Sequence, residues 1–320
     1  LAIKSRYQKA DQETQRAKIR HLEARFDAQW GDMGAVAEAF GLAWAEAKDS
    51  TAAIRWYRRA LAANDASASL KVSEQLGNLC ARQAWETVDQ ACKQNGRVSA
   101  EELSKARTEI EAARDHLKRV VAVQPSIERE SLLGSAWKRL ALVEAIAGRP
   151  RDELAAIASM QASYAKAEAR ARDSHHPELF YPALNRMAAE LILNAGKPGG
   201  VKFDPDAVNE VRKSLAAKAR DDPDFWSVAG FIELRMYTAI ADRSLAAERP
   251  KIEGEFEELF TRVSAPSMWS SVIDQASFVL PKYAASAAGA ERSAAEALLA
   301  KLHSYAVSDD VLSNFRPRST

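Results

Sequence analysis

The sequence predicts an all-α fold, in which helical hairpins stack as a solenoid and a C-terminal helical lobe follows. Three observations lead there. Apolar residues recur at three-to-four spacing along the chain, with no period-two alternation and no Asn-Gly hairpin signal between β-branched runs. Alanine makes up about a fifth of the residues, and Leu, Glu, Lys and Arg are also frequent; these are the strongest helix formers. The few glycines and prolines fall between periodic segments.

A first helix is expected from about Ile3 to Gln29, its apolar line set by Ile19, Leu22, Phe26 and Trp30, with Gly31-Asp32 ending it. A second spans about Ala35 to Lys48, and Asp49-Ser50-Thr51 supplies N-cap chemistry for a third over Ala52–Ala63. Two long helices, Ser67–Gln94 and Ala100–Val123, are separated by Asn95-Gly96, and Pro125 closes the second. Helices over Ser131–Ala147 and Arg151–Arg172 are joined by Gly148-Arg149-Pro150. After Ser174-His175-His176-Pro177 another runs through Leu193 to a C-cap signal at Asn194-Ala195-Gly196.

Lys197-Pro198-Gly199-Gly200 reads as the clearest linker, and the chain restarts at Asp204-Pro205-Asp206. Helices follow near 206–220, 224–247, 250–263, 267–285 and 289–306, with apolar stripes at Phe225, Val228, Ile232, Met236 and Ile240, and at Ile252, Phe256, Leu259, Phe260 and Val263. The expected organisation is an N-terminal helix over 1–30, helical repeats over 31–196, a linker over 197–205 and a helical lobe over 206–320.

The repeat signal is strongest between Ala37 and Asp65. A tetratricopeptide-like pair needs large, small and aromatic residues at fixed places, because small residues let two antiparallel helices approach and aromatics fill the groove between them. Phe40-Gly41 is the large-small pair, Trp44 the aromatic, and Ala53, Tyr57 and Ala60-Leu61 complete the second helix. Ala37 stands where the first aromatic is usual, and Asp65 where proline commonly ends the repeat. A second, partial match has Leu76-Gly77, with Cys80 in the aromatic place, and Ala113, Leu117 and Val120 closing at Pro125. A third starts at Trp137 with Leu140-Ala141 and Gly148, and Glu153 replaces its small residue. Three repeats are about the minimum that buries a continuous core.

The segment Ala52-Ala-Ile-Arg-Trp-Tyr-Arg-Arg-Ala-Leu-Ala-Ala-Asn-Asp65, followed by Leu70-Lys-Val-Ser-Glu-Gln-Leu-Gly77, resembles bacterial tetratricopeptide regions, in particular those attached to caspase-like CHAT peptidase domains. Phe180-Tyr-Pro-Ala-Leu-Asn-Arg-Met-Ala-Ala-Glu190 is similar to a motif in the helical scaffold region of stress-activated MAP kinase kinase kinases. The resemblance covers roughly residues 35–250. It implies a regulatory or substrate-recruiting region and no catalysis in this chain, since a caspase-like peptidase needs a His/Cys pair on an α/β sheet.

The charge balance points the same way. A formal net charge of +1 implies neither nucleic acid nor a membrane surface as partner. Clusters such as Arg55, Arg58 and Arg59 sit among acidic residues and read as solvated helix faces. No run reaches the roughly 18 apolar residues of a membrane span, and no signal peptide opens the chain. Cys80 and Cys92 lie in one helical stretch with no CxxC pattern, as reduced thiols of a cytoplasmic protein would. The start at Leu1, with no Met, suggests a region of a longer protein or a processed one.

Catalytic, cofactor and metal motifs are missing. His21, His116, His175, His176 and His303 show no HExxH spacing, and the adjacent His175 and His176 read as loop or cap residues. Gly199-Gly200 lacks the phosphate-loop context, and there is no GxSxG elbow. Acidic pairs such as Asp221-Asp222, Glu257-Glu258 and Asp309-Asp310 read as helix faces and ends. Trp44, Trp56, Tyr57, Trp137, Phe225, Trp226 and Trp269 read as packing residues, with any exposed member a binding anchor.

The expected function is therefore that of a non-catalytic protein-interaction scaffold. Its partner is a protein, either a peptidase domain of the same polypeptide or that domain's substrate. In this register the first helix of each pair lines the binding face, which makes Glu38, Leu42, Glu46, Asn78 and Arg82 the candidate contact residues. One alternative is the regulatory region of a bacterial defence-type peptidase. Another is a helical enzyme with an inter-lobe ligand site near Lys197–Phe203.

Overall fold

The computed structural model describes residues 2–222 and 224–313, with side chains over 11–222, 224–265 and 268–305. The described residues form thirteen α-helices and no strand. They belong to two compact units that part between Ser163 and Tyr164.

The first unit holds α1 (Ala2–Trp30), α2 (Gly34–Glu46), α3 (Ser50–Ala62), α4 (Leu70–Asn95), α5 (Ala100–Val123), α6 (Ile127–Ile146) and the start of α7 (Pro150–Asp173). Local chemistry sets these boundaries. Lys48, at φ 59°, turns the chain out of α2, and the Asp49 carboxylate accepts the Ala52 N–H at 2.9 Å to start α3. Gly96, at φ 69°, ends α4, and Ser99 with Glu102 forms a capping box for α5. Sequence reading starts the next helix at Ser131; it starts at Ile127, because the Ser126 hydroxyl caps the Arg129 N–H at 3.1 Å.

Hairpin α2–α3 closes on small residues. Ala37, Phe40, Gly41 and Trp44 meet Ala53, Trp56, Tyr57 and Ala60, all buried. Phe40 stacks on Trp56 with ring centroids 4.6 Å apart. A Cβ added at Gly41 would stand 2.5 Å from the Tyr57 ring, so only glycine allows this approach. Each fully buried large side chain contributes about 1.5–3 kcal/mol. The next hairpin repeats the device, with Gly77 of α4 against Leu117 of α5. Helix α3 packs on α4, and α6 packs on both α4 and α5.

The second unit contains α8 (Phe180–Leu193), α9 (Pro205–Asp221), α10 (Phe225–Ala241), α11 (Leu245–Arg262), α12 (Pro266–Ser286) and α13 (Gly289–Ser313). Helix α10 is central and packs on α8, α9, α11 and α12. Gly230 lets it approach Leu215 of α9. Phe225, Phe256, Phe260, Trp269 and Tyr305 form one aromatic cluster, closed by the Trp269 indole donating to the Val263 carbonyl at 2.6 Å. Glu291 of α13 accepts the Leu245 and Ala246 N–H groups, each at 3.0 Å, and the Tyr283 hydroxyl at 2.6 Å.

The expected linker at 197–205 is not where the compact units part. It joins α8 to α9 inside the second unit, anchored by buried Val201. Helix α10 ends at Ala241, six residues before its expected end, because Arg243 turns at φ 55°. Helix α11 begins at Leu245 and carries Pro250 inside it, where the sequence suggests a fresh start at the proline. Its first-turn N–H groups are held by Glu291, so the helix begins ahead of the proline. Within the apolar stripe of α10, Val228 is 39% exposed.

Candidate functional site

Glu38, Leu42 and Glu46 recur every four residues and share one face of α2; Asn78 and Arg82 share one face of α4. The structure divides these five by role. Leu42 is 51% exposed, and Glu46 and Arg82 are exposed as well. Arg82 pairs along its own helix with Glu86 at 2.7 Å. Glu38 and Asn78 are half-buried and engaged within the fold. The Glu38 carboxylate accepts the Ser69 N–H at 2.8 Å and the Ser69 hydroxyl, which secures the N-terminus of α4. Asn78 accepts from Arg139 of α6 at 3.4 Å. Among the described residues no hydrogen bond or ion pair joins Asn78 or Arg82 to the three α2 residues.

The α2 face is acidic, and Tyr57 registers it from beneath. Burial, then the Glu38 and Glu46 carboxylates, push the Tyr57 hydroxyl up to about 12. A partner reaching α2 therefore meets a leucine between two carboxylates, one of them already committed to Ser69.

Several charged residues that sequence reading left unassigned are structural. Glu23 of α1 accepts the Trp44 indole at 2.6 Å, the Trp56 indole, and Arg55 at 3.0 Å, fastening α1 to the first hairpin. Glu74 is buried beside Arg129 at 2.6 Å and Lys71 at 3.4 Å. Glu144 is buried beside Arg107 at 3.1 Å and Arg149. Glu168 is buried between Arg172 at 2.9 Å and Arg186. Each has one partner nearby in sequence, Lys71, Arg149 or Arg172, and one on another helix, Arg129, Arg107 or Arg186, and only the remote partner leaves no local pattern. Each faces fixed cations, an arrangement suited to holding helices together.

The histidines engage local groups. His175 Nδ1 lies 3.0 Å from the Arg172 carbonyl, and His176 Nδ1 accepts the Glu178 N–H at 3.2 Å, which organises the turn before α8. His116 lies 3.0 Å from the Ser73 carbonyl, and His303 2.9 Å from the Ser277 hydroxyl. Among the described residues no group of three or more His, Cys, Asp or Glu side chains is placed to hold a metal. Burial raises the Cys80 thiol above its ordinary range, against the pull of Arg58, which keeps it a poor nucleophile. No helix among the described residues is long and apolar enough to cross a membrane.

The packing of hairpins α2–α3 and α4–α5 points to a helical repeat, with small residues at both crossings and a stacked aromatic pair in the first. Residues 49–192 match the family model Tetratricopeptide Repeats-Sensor. This span is similar to a tetratricopeptide-repeat region. The match opens at the Asp49 cap of α3 and closes within α8, so the matched span includes residues of both compact units. Helix α2, with three of the five candidate residues, precedes it, while Asn78 and Arg82 lie inside it. No curated protein matches the chain. Tetratricopeptide repeats present helix surfaces to protein partners and are generally non-catalytic.

Proposed function

We propose that the chain is a non-catalytic interaction module that recruits or regulates a protein partner through the exposed residues of α2 and α4. One observation carries the reading: Leu42, a large apolar side chain, stands half exposed on the first helix of the best-formed hairpin, with the free carboxylate of Glu46 one turn along. Arg82 on α4 gives the partner a cation to meet. Glu38 and Asn78 act from below by holding α4 and α6 in place.

The finer reading is a bacterial, cytoplasmic protein whose partner is a caspase-like CHAT peptidase domain, in the same polypeptide or presented with its substrate. The segments 52–65 and 70–77 support it by their resemblance to such regions. The test places a photo-crosslinking amino acid at position 42 in source cells and identifies the adduct by mass spectrometry. An adduct to a peptidase domain, lost in the Glu46→Lys, Arg82→Glu variant, supports the reading. Adducts that survive that variant, while its melting curve stays that of the parent, reject it. An immunoblot of the same cells separates the two arrangements: a band well above 35.1 kDa goes with an attached domain.

A further inference from the structure

The second unit contains a trough that neither the repeat match nor the candidate residues involve. Its floor is one face of α10, where Phe225, Val228, Phe231, Arg235, Thr238 and Asp242 recur at three-to-four spacing. Helix α9 contributes Arg212 to one wall, and α11 forms the other from Glu248 to Val263. The cavity measures about 800 Å³. It extends from one cap of α10 to the other, about 25 Å at 1.5 Å per residue. A trough of that length over a helical ridge takes another helix, whose own three-to-four row seats between the ridges of α10.

The chemistry changes along its length. The half beside the start of α10 holds the apolar lining, with Val228, Phe231, Leu259 and Val263 beside Asp224 and the Glu258–Arg262 pair. Val228 is 39% exposed. The other half is charged and short of cations. Arg235 answers Glu255 at 3.0 Å and Glu248 at 3.8 Å, so one guanidinium serves two carboxylates. Asp242 is exposed and, among the described residues, has no ion-pair partner. Of the remaining lining charges, Asp224 lies 3.8 Å from Lys218 and Arg262 pairs with Glu258, while Arg212 is likewise unpaired among the described residues.

From this we infer that the α10 trough is a docking site for an amphipathic helix of a partner protein, apolar in its N-terminal half and basic near its C-terminus. The apolar row covers Val228 and Phe231. The basic residue follows about four turns later, over Asp242 and Glu248, since 14 residues of helix span about 21 Å. A helix with its cations at the C-terminal end is itself favoured by the helix dipole, so the docked helix runs parallel to α10. An acidic side chain midway along it meets Arg212.

The experiment is a selection of helical peptides of about 18 residues, displayed on phage with apolar residues held at three-to-four spacing and every other position free, against the full chain. Winning peptides are expected to carry Lys or Arg toward the C-terminus and to become helical on binding, read by circular dichroism. Val228→Glu, at an exposed position that leaves the melting curve in place, should weaken them at least about tenfold. Asp242→Lys should do the same, and a peptide with its basic residue changed to Glu should regain binding to that variant alone. Peptides that bind Val228→Glu as tightly as the parent overturn the proposal, as does a selection that recovers none. A dimer of the free chain that Val228→Glu dissolves overturns it in favour of a second copy as the occupant.

Discussion

The carboxylate of Asp65 accepts the Gly34 N–H, with both oxygens at 3.2 Å, so the residue that ends the first helix pair caps the helix that begins it. Ser67 adds its hydroxyl to the Ala35 N–H at 2.8 Å. Met33, in the cap position of α2, offers no side-chain acceptor, and the loop after α3 supplies what it lacks.

Asp65→Ala should therefore lower the melting temperature by a few degrees and fray α2, seen as faster amide exchange at Gly34 and Ala35. The hydrogen bonds from Ser67, then that from Gly34, hold the Asp65 carboxyl below its ordinary 3.8. A lowered folded-state value means that the ionised group stabilises the fold above the unfolded-state value, and that this is lost as pH falls through the folded one. The melting difference between parent and Asp65→Ala should be full near neutrality and shrink below pH 3.8.

Two glycines should respond to alanine with opposite signs. Gly41→Ala puts a Cβ 2.5 Å from the Tyr57 ring and should cost about 1–3 kcal/mol by overpacking, against a propensity gain of about 1. Gly254 in α11 has nothing within 4 Å of an added Cβ, so Gly254→Ala should stabilise by up to about 1 kcal/mol. Denaturant unfolding of both variants decides the matter, and a loss at Gly254 would contradict the packing described for α11.

Glu23→Leu should release α1. The Trp44 and Trp56 indoles and Arg55 lose a shared acceptor. Trypsin should then cut α1 at Arg16, Lys18 and Arg20 faster than in the parent, and tryptophan emission should shift as both indoles lose that partner. Unchanged cleavage would mean that the other ties of α1 hold it without Glu23: buried Ile19, Arg16 on the Ala47 and Lys48 carbonyls, and Asp27 with Arg59.

Glu144→Ala should be among the more costly single changes, at about 2–3 kcal/mol. The carboxylate is 1% exposed beside Arg107 and Arg149, and its loss leaves two cations facing a buried space. Each arginine is about a third exposed and can turn to water, which holds the cost toward the lower end for a broken buried pair. Chemical denaturation gives the value directly, and a neutral result would show that water already serves both arginines.

The helices and the small-residue crossings were legible because their signals are local. Phe40, Gly41, Trp44 and Tyr57 announce themselves by type and spacing within one hairpin, and their packing follows. Asp65 was legible only as a missing proline, since its partner Gly34 lies 31 residues away. Glu38 reads as an exposed contact on a helix face for the same reason: Ser69, which needs its carboxylate, is 31 residues on. The parting of the units in α7 leaves no mark either, because an uninterrupted helix carries no glycine or proline to punctuate it. Pro250 misled in the opposite direction, as a strong local signal overruled by the remote carboxylate of Glu291.

That carboxylate also ties α11 to the direction of synthesis. Leu245 leaves the ribosome 46 residues ahead of the glutamate that receives its N–H, an interval of about 2–9 s at ordinary elongation rates. For that time α11 is a proline-bearing segment with an open first turn, and the second unit can complete it only once the first turn of α13 has been made.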